Sequence, residues 1–166
     1  MLSRLKSSLL TWPGRHGWAS CVFVAGPAAI LIAFLASMGG FLHWQPDPSR
    51  LWRLPMILVI PAFSEELVFR GLVPTQGEGR HPWLWIAAAT IAFTAWHAAE
   101  AVTFLPGAGL FLQPVFLACA ATLGLACAVM RYRTGSLWPA VAFHGLVVWL
   151  WQGLMGGPGM AELLRG

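Results

Sequence analysis

The residues best suited to chemistry in this sequence lie inside apolar segments, where charged and polar side chains are rare. Glu65, Glu66 and Arg70 lie in one such segment, and His97 and His144 lie in two others. A carboxylate and two imidazoles that converge away from bulk water can activate a water molecule or stabilise an oxyanion. The same ligand types, from Glu65, His97 and His144, can hold Zn²⁺ with an open coordination position. The residues alone do not choose between these two chemistries.

The three formal charges between Glu65 and Arg70 decide how their segment must pack. Each charge near the middle of a membrane span raises the free energy of insertion by about 3 kcal/mol, whereas each Leu, Ile, Val or Phe lowers it by only about 0.3–0.6 kcal/mol. The charged helix must therefore face a protein interior or a water-filled cavity. Glu66 and Arg70 are four residues apart, so they share a helix face and can neutralise each other.

Glu65 points about 100° away from Glu66 around a helix and has no local partner. His97 and His144, on two other helices, could meet it. One unpaired glutamate and two buried histidines in an apolar chain favour a functional site. The competing interpretation is a polar cluster that only stabilises the packing of the helix bundle.

The composition places these charges in a membrane protein. Of the 166 residues, 58% are hydrophobic and 10% are charged, against about 25% charged in ordinary soluble domains. Three cysteines are too few for a disulfide-rich secreted scaffold. The basic residues are scattered singly, which argues against nucleic-acid binding. The sequence therefore predicts an all-α, polytopic membrane helix bundle embedded in a lipid bilayer, with a single domain over residues 1–166.

Apolar segments of about 20 residues, the length of a transmembrane helix, alternate with turns that contain Gly and Pro. The predicted spans, about five in number, are Ala19 to Phe41, Leu51 to Val73, Pro82 to Phe104, Phe111 to Met130, and Leu137 to Leu154. Lys and Arg, including Arg80, are more frequent on the side of the N-terminus, which predicts a cytoplasmic N-terminus. Ala120, Gly124 and Ala128 recur at four-residue spacing, which favours close helix packing.

The polar residues resemble the motifs of the CPBP intramembrane proteases, a family that includes the CAAX prenyl endopeptidases and the bacteriocin-processing, Abi-type proteins. The family motif EExxxR is met by Glu65, Glu66 and Arg70. The second motif, FxxxH, is met by Phe93 and His97. Each motif lies in a separate predicted span, and the family-like protease core extends over about residues 51–154.

The third family motif, a histidine followed four residues later by Asn or Asp, is incomplete in this chain. His144 is followed by Val148, so the oxyanion contribution expected of the polar residue is missing. Losing one such donor typically lowers the rate by about 10²–10³. Gln152, another four residues along, lies on roughly the same helix face and is a candidate substitute by spacing alone.

The resemblance implies an intramembrane endopeptidase of the CAAX type, which hydrolyses a peptide bond near the C-terminus of a membrane-anchored or lipidated protein or peptide. Glu65 would activate the attacking water with help from His97, and His144 would help to stabilise the oxyanion. The supporting residues would be Glu66, Arg70 and Phe93. This glutamate-type mechanism requires no cofactor, whereas a zinc-dependent one would use Glu65, His97 and His144 as ligands. The short chain favours a reduced, bacterial type of member in the inner (plasma) membrane.

Two other functions are compatible with the sequence. Val148 is compatible with a catalytically silent family member that binds a peptide or a membrane partner, as an immunity factor would. Intramembrane Glu, Arg and His residues are equally natural in a small proton-coupled transporter. The lack of a sequence repeat and the small number of helices argue against the transporter.

Overall fold

The computed structural model describes residues 2–78 and 81–165, which form helices and no β-strand. Met1 and Gly166, the ends of the predicted domain, and Arg80, one of the cations used to predict the orientation, lie outside the described residues. The long helices are α2 (Arg15–Met38), α6 (Pro82–Thr103), α7 (Pro114–Thr134) and α8 (Trp138–Leu154). The short ones are α1 (Leu2–Leu10), α3 (Pro48–Leu51), α4 (Leu54–Ile57), α5 (Ser64–Arg70) and α9 (Met160–Leu163), with a π-helical segment (Leu58–Phe63) and a 3₁₀ turn (Gly109–Leu112).

α7 is the central helix and packs against α2, α6 and α8. Its small residues Ala120, Gly124 and Ala128 are all buried, as their four-residue spacing predicts for a helix that neighbours approach closely. Phe93 from α6 and Phe143 from α8 meet α7 in the main hydrophobic core. This core lies directly beside the charged residues of α5.

Four of the five predicted spans correspond to one helix each, with ends that differ by at most four residues. The prediction of a continuous helix from Leu51 to Val73 is wrong, because α3, α4, the π-helical segment and α5 follow one another there. Ile60 has an extended backbone (φ −135°, ψ 116°), since a residue before proline avoids the helical region and Pro61 has no N–H to donate. A new helix therefore begins at Ser64, immediately before the two glutamates.

Among the described residues, two helices, α2 and α7, are long and apolar enough to cross a membrane. α8 has 17 residues, fewer than the about 20 that a span needs. α6 carries His97 and Glu100, which lower its hydropathy. The count of about five transmembrane helices therefore stays a prediction, and so does the cytoplasmic position of the N-terminus.

The side chain of Arg50 joins the C-terminal segment to the α2–α3 connection. Its Nη2 lies 2.6 Å from Glu162 Oε1, its Nη1 donates to the carbonyl of Gly157 at 2.7 Å, and its Nε lies 2.9 Å from Asp47 Oδ2. A hydrogen bond from the Ser49 hydroxyl, aided by the charge of Arg50, lowers the pKa of Asp47. These contacts hold α9 over the loop between α6 and α7.

Candidate active site

α5 carries both glutamates of the first motif in its first turn, where a carboxylate interacts favourably with the helix dipole. Arg70 Nη1 donates to Glu66 Oε1 at 3.2 Å, and both side chains are fully buried. The four-residue spacing predicts this pair. Burying a carboxylate or a guanidinium without an opposite charge strongly destabilises the folded protein. Glu66 and Arg70 can therefore be buried only as a pair.

His144 from α8 lies between the two glutamates. Its Nδ1 is 2.9 Å from Glu66 Oε1, and its Nε2 is 3.9 Å from Glu65 Oε2. Because the Glu66 carboxylate accepts, Nδ1 carries the proton, and Nε2 of the neutral ring is then a hydrogen-bond acceptor. The 3.9 Å separation is too long for a direct hydrogen bond, but one water molecule can contact both Nε2 and Oε2.

Glu65 Oε2 is buried and has no hydrogen-bond partner among the described residues. This oxygen faces Nε2 of His144 rather than the Glu66–Arg70 pair. Its lone pairs are therefore free to accept a proton from a water molecule or from a substrate group.

Arg70 also packs against an aromatic ring, in an arrangement that depends on a glycine. The guanidinium carbon is 4.0 Å from the centroid of the Phe93 ring, which is the geometry of a cation–π interaction. A Cβ atom at Gly124 of α7 would lie 2.7 Å from Arg70 Nη2 and 2.9 Å from Phe93 Cδ1. Gly124 thus makes room for the buried cation, a role that its four-residue spacing with alanines did not reveal.

His97 from α6 and His144 from α8 both pack against the Phe93 ring. The ring centroid of Phe93 is 4.6 Å from that of His97 and 5.7 Å from that of His144. His97 Nδ1 donates to the Phe93 carbonyl at 2.9 Å, which leaves Nε2 as an acceptor in the neutral ring. In the described part of the chain, no hydrogen bond or ion pair joins His97 to Glu65. The structure therefore brings His97 next to the cluster but not into direct contact with its free carboxylate.

The structure groups no three metal-ligating side chains around one position in residues 2–78 and 81–165. The Nδ1 atoms of both histidines donate, one to Glu66 and one to a backbone carbonyl. This is how histidine ligands are commonly oriented, and it leaves both Nε2 atoms available. Zinc binding by Glu65, His97 and His144 therefore stays a prediction.

Glu100 is a residue at the site that the sequence reasoning missed. It is half-buried on α6, three residues after His97 and therefore on nearly the same helix face. Its carboxylate lies within electrostatic range of Glu65. The signal that could have found it is the His-x-x-Glu spacing inside an otherwise apolar helix.

The two remaining candidates lie further along α8. Val148 is half-buried one turn after His144, so an apolar side chain occupies the position where Asn or Asp was expected. Gln152 is half-buried about two turns after His144. The geometry leaves its proposed role as an oxyanion donor a prediction.

The chain was compared with protein families, curated proteins and solved structures. A family model described as type II CAAX prenyl endopeptidase, Rce1-like, matches residues 47–150, a range that contains Glu65, His97 and His144. No curated protein and no solved structure shows significant similarity to the chain. The matched range begins at the α2–α3 connection and ends within α8.

Proposed function

The chain belongs to the Rce1-like type II CAAX prenyl endopeptidase family, a family of membrane proteases, and on this basis we propose that it is an intramembrane endopeptidase of the glutamate type. The observation that carries the proposal is the buried Glu65 Oε2, which lies 3.9 Å from His144 Nε2 and has no hydrogen-bond partner in the part of the chain that the structure describes. The proposed substrate is a membrane-anchored or lipidated protein or peptide, cleaved at a peptide bond near its C-terminus.

In the proposed mechanism, a water molecule between Glu65 and His144 supplies the nucleophile. Glu65 takes a proton from this water as its oxygen attacks the scissile carbonyl carbon, and the same proton then passes to the leaving nitrogen. The products are a carboxylic acid and an amine, and the glutamate returns to its ionised form. General-base catalysis of this kind contributes about 10²–10⁴ in rate.

The two histidines would act on the water and on the developing oxyanion. His144 can donate from Nε2 only when its ring is protonated, because the Nδ1 proton is committed to Glu66. The Glu66 carboxylate would then compensate the positive charge of the ring. His97, with Nε2 free, would help to orient the water. Glu66 and Arg70 position His144 and do not touch the substrate in this scheme.

The proposed function is tested by offering the protein, reconstituted in liposomes, a set of membrane-anchored peptides. The set contains prenylated tails, acylated tails and transmembrane tails with the same C-terminal residues, and mass spectrometry identifies the products. We expect cleavage within a few residues of the C-terminus of at least one anchored class, and none of the unanchored peptide. A folded protein that cleaves none of the anchored peptides would favour the catalytically silent binding function, for which Val148 is the motivating residue.

We expect Val148→Asn to raise turnover, by up to about 10²-fold, because it adds a donor one turn after His144 where the family motif has one. The kinetic constants kcat and KM of the purified variant check this, and the gain should appear in kcat. Val148→Leu, which changes the side chain without adding a donor, should behave like the wild type. An unchanged kcat in folded Val148→Asn protein would show that the position has no oxyanion role in this chain.

We expect exhaustive chelation to leave peptide hydrolysis intact, because a general base and oxyanion donors can carry out the reaction without a metal ion. Activity is measured after dialysis against a chelator, alongside elemental analysis of the protein. Adding back zinc to the dialysed protein serves as the control and should not raise the rate. Stoichiometric zinc that disappears in His97→Ala together with the activity would overturn the metal-free mechanism.

A further inference from the structure

A second buried arginine lies away from the glutamates, about 10 Å along α7 from Gly124. Arg131 is fully buried, and its Nε and Nη1 atoms have no hydrogen-bond partner among the described residues. The proposed peptidase mechanism makes no use of it. A guanidinium that is removed from water and left with unpaired N–H groups is costly, which indicates that an acceptor belongs beside it.

The surroundings of Arg131 come from α1 and from two loops at the end of the bundle that carries the N-terminus. The Ser8 carbonyl accepts from Leu137 N at 2.9 Å, so α1 is held over the α7–α8 turn. Gly135 in this turn has a left-handed backbone (φ +69°), and a Cβ added there would lie 3.9 Å from Arg131 Nη1. The same point is 3.3 Å from Thr75 Cγ2 and 3.9 Å from Thr11 Cγ2. Nη1 therefore lies beside Gly135, close to the methyl groups of two threonines.

The charges around Arg131 leave an excess of positive charge. Arg4 Nε lies 3.6 Å from Glu78 Oε2, and these side chains are 39% and 46% exposed. The charges of Arg4 and Glu78 both act on Arg131, so the carboxylate of Glu78 compensates two guanidinium groups. Exposed ion pairs of this kind contribute little. Glu78 Oε2 also accepts a hydrogen bond from Thr75 N at 3.1 Å, and this N–H becomes available to an anion that displaces the glutamate.

The location favours an anion found at a membrane surface. Trp12 lies against Trp18 and Trp138, with ring centroids 5.7 and 6.4 Å apart, and is largely exposed. Tryptophans gather at the headgroup level of a bilayer, and basic residues there attract anionic lipids. Arg133 is exposed on the same turn of α7 as Arg131.

We propose that Arg131, together with Arg4, forms a binding site for a phosphate group at this end of the bundle, beside Thr11 and Thr75. Arginine is well suited to this ligand because its planar array of N–H donors matches the oxygens of a phosphate. The phosphate belongs to the headgroup of an anionic lipid or to inorganic phosphate. The site is separate from the peptidase site and does not depend on the proposed function.

The test measures the thermal unfolding midpoint of the full chain in a neutral detergent at constant ionic strength. The added probes are inorganic phosphate, dihexanoyl phosphatidic acid and, as a zwitterionic control, dihexanoyl phosphatidylcholine. We expect saturable stabilisation of the wild type, and an apparent affinity reduced about 10- to 100-fold in Arg131→Gln, the loss expected for a charge-assisted hydrogen bond. The matched control is Arg133→Gln, which removes the same charge from an exposed position two residues away and should retain the wild-type affinity.

The probes distinguish the two sources of the phosphate. Stabilisation by phosphatidic acid at concentrations where inorganic phosphate has no effect identifies a lipid headgroup, whereas equal effects identify phosphate itself. The proposal is overturned if neither probe stabilises the wild type, or if Arg131→Gln and Arg133→Gln lose affinity equally.

A further variant keeps the test decisive if Arg131→Gln does not fold. Glu78→Gln removes the carboxylate that competes with the ligand, so phosphate should bind more tightly than to the wild type. Unchanged or weaker binding in this variant would show that Glu78 is the structural counter-ion of Arg131 and would overturn the proposal.

Discussion

Glu65→Gln is expected to remove peptide hydrolysis, lowering kcat by at least about 10²-fold, while the protein stays folded. The physical reason is that Oε2 of Glu65 is buried, has no hydrogen-bond partner among the described residues and lies 3.9 Å from Nε2 of His144. Glutamine has the same size but cannot take a proton from water. Because Glu65 does not take part in the Glu66–Arg70 pair, the substitution should change the unfolding midpoint little. Single-turnover cleavage of an anchored peptide and thermal unfolding in detergent measure the two quantities.

The matched control for Glu65→Gln is Glu78→Gln, which makes the same chemical change in an exposed carboxylate outside the candidate active site. It should keep the wild-type kcat. Glu65→Asp, which keeps the carboxylate but withdraws it by one methylene group, should retain a measurable fraction of the activity. Full activity in Glu65→Gln would refute the general-base role, and equal losses in Glu65→Gln and Glu78→Gln would indicate a general effect of charge.

Gly124→Ala is expected to lower the free energy of unfolding by about 1–3 kcal/mol and also to lower kcat. The added Cβ would lie 2.7 Å from Arg70 Nη2 and 2.9 Å from Phe93 Cδ1, so both side chains must move. A displaced Arg70 releases Glu66, which holds His144 through Nδ1. Unfolding by denaturant measures the stability, and the decrease in activity should appear in kcat rather than in KM because no substrate contact is removed.

The control for Gly124→Ala is Gly109→Ala in the 3₁₀ turn between α6 and α7. Apart from its chain neighbours, no atom lies within 4 Å of a Cβ at Gly109, so alanine there should not lower the stability and should leave kcat unchanged. If both alanine variants behaved alike, Gly124 would have no role in positioning Arg70.

The parts of the site that could be predicted from the sequence are those set within one helix. Glu66 and Arg70 are four residues apart, and helix geometry alone brings them together. The positions of the long helices could be predicted because apolar runs of about 20 residues have few alternatives. Pro61 predicts a kink in the second span, but the sequence does not reveal a break between separate helices there, because the surrounding residues are as apolar as those of a continuous span.

The contacts that join different helices could not be predicted. His144 meets Glu66 across 78 residues of chain, and Gly124 meets Arg70 from a third helix. Whether two such side chains touch depends on how each helix is rotated and how far it is shifted along its neighbour. Those quantities result from the packing of the whole bundle and leave no local signal.

The sequence by itself determined the kinds of groups at the site, the order of the motifs and the apolar character of the helices that carry them. Only the tertiary structure decided that His144 lies between the two glutamates and that His97 makes no hydrogen bond or ion pair with Glu65. It also decided that Arg131 is buried with N–H groups that have no partner among the described residues. The reason is physical: spacing along a helix is a property of the backbone, whereas contact between helices is set by how all of their side chains pack together.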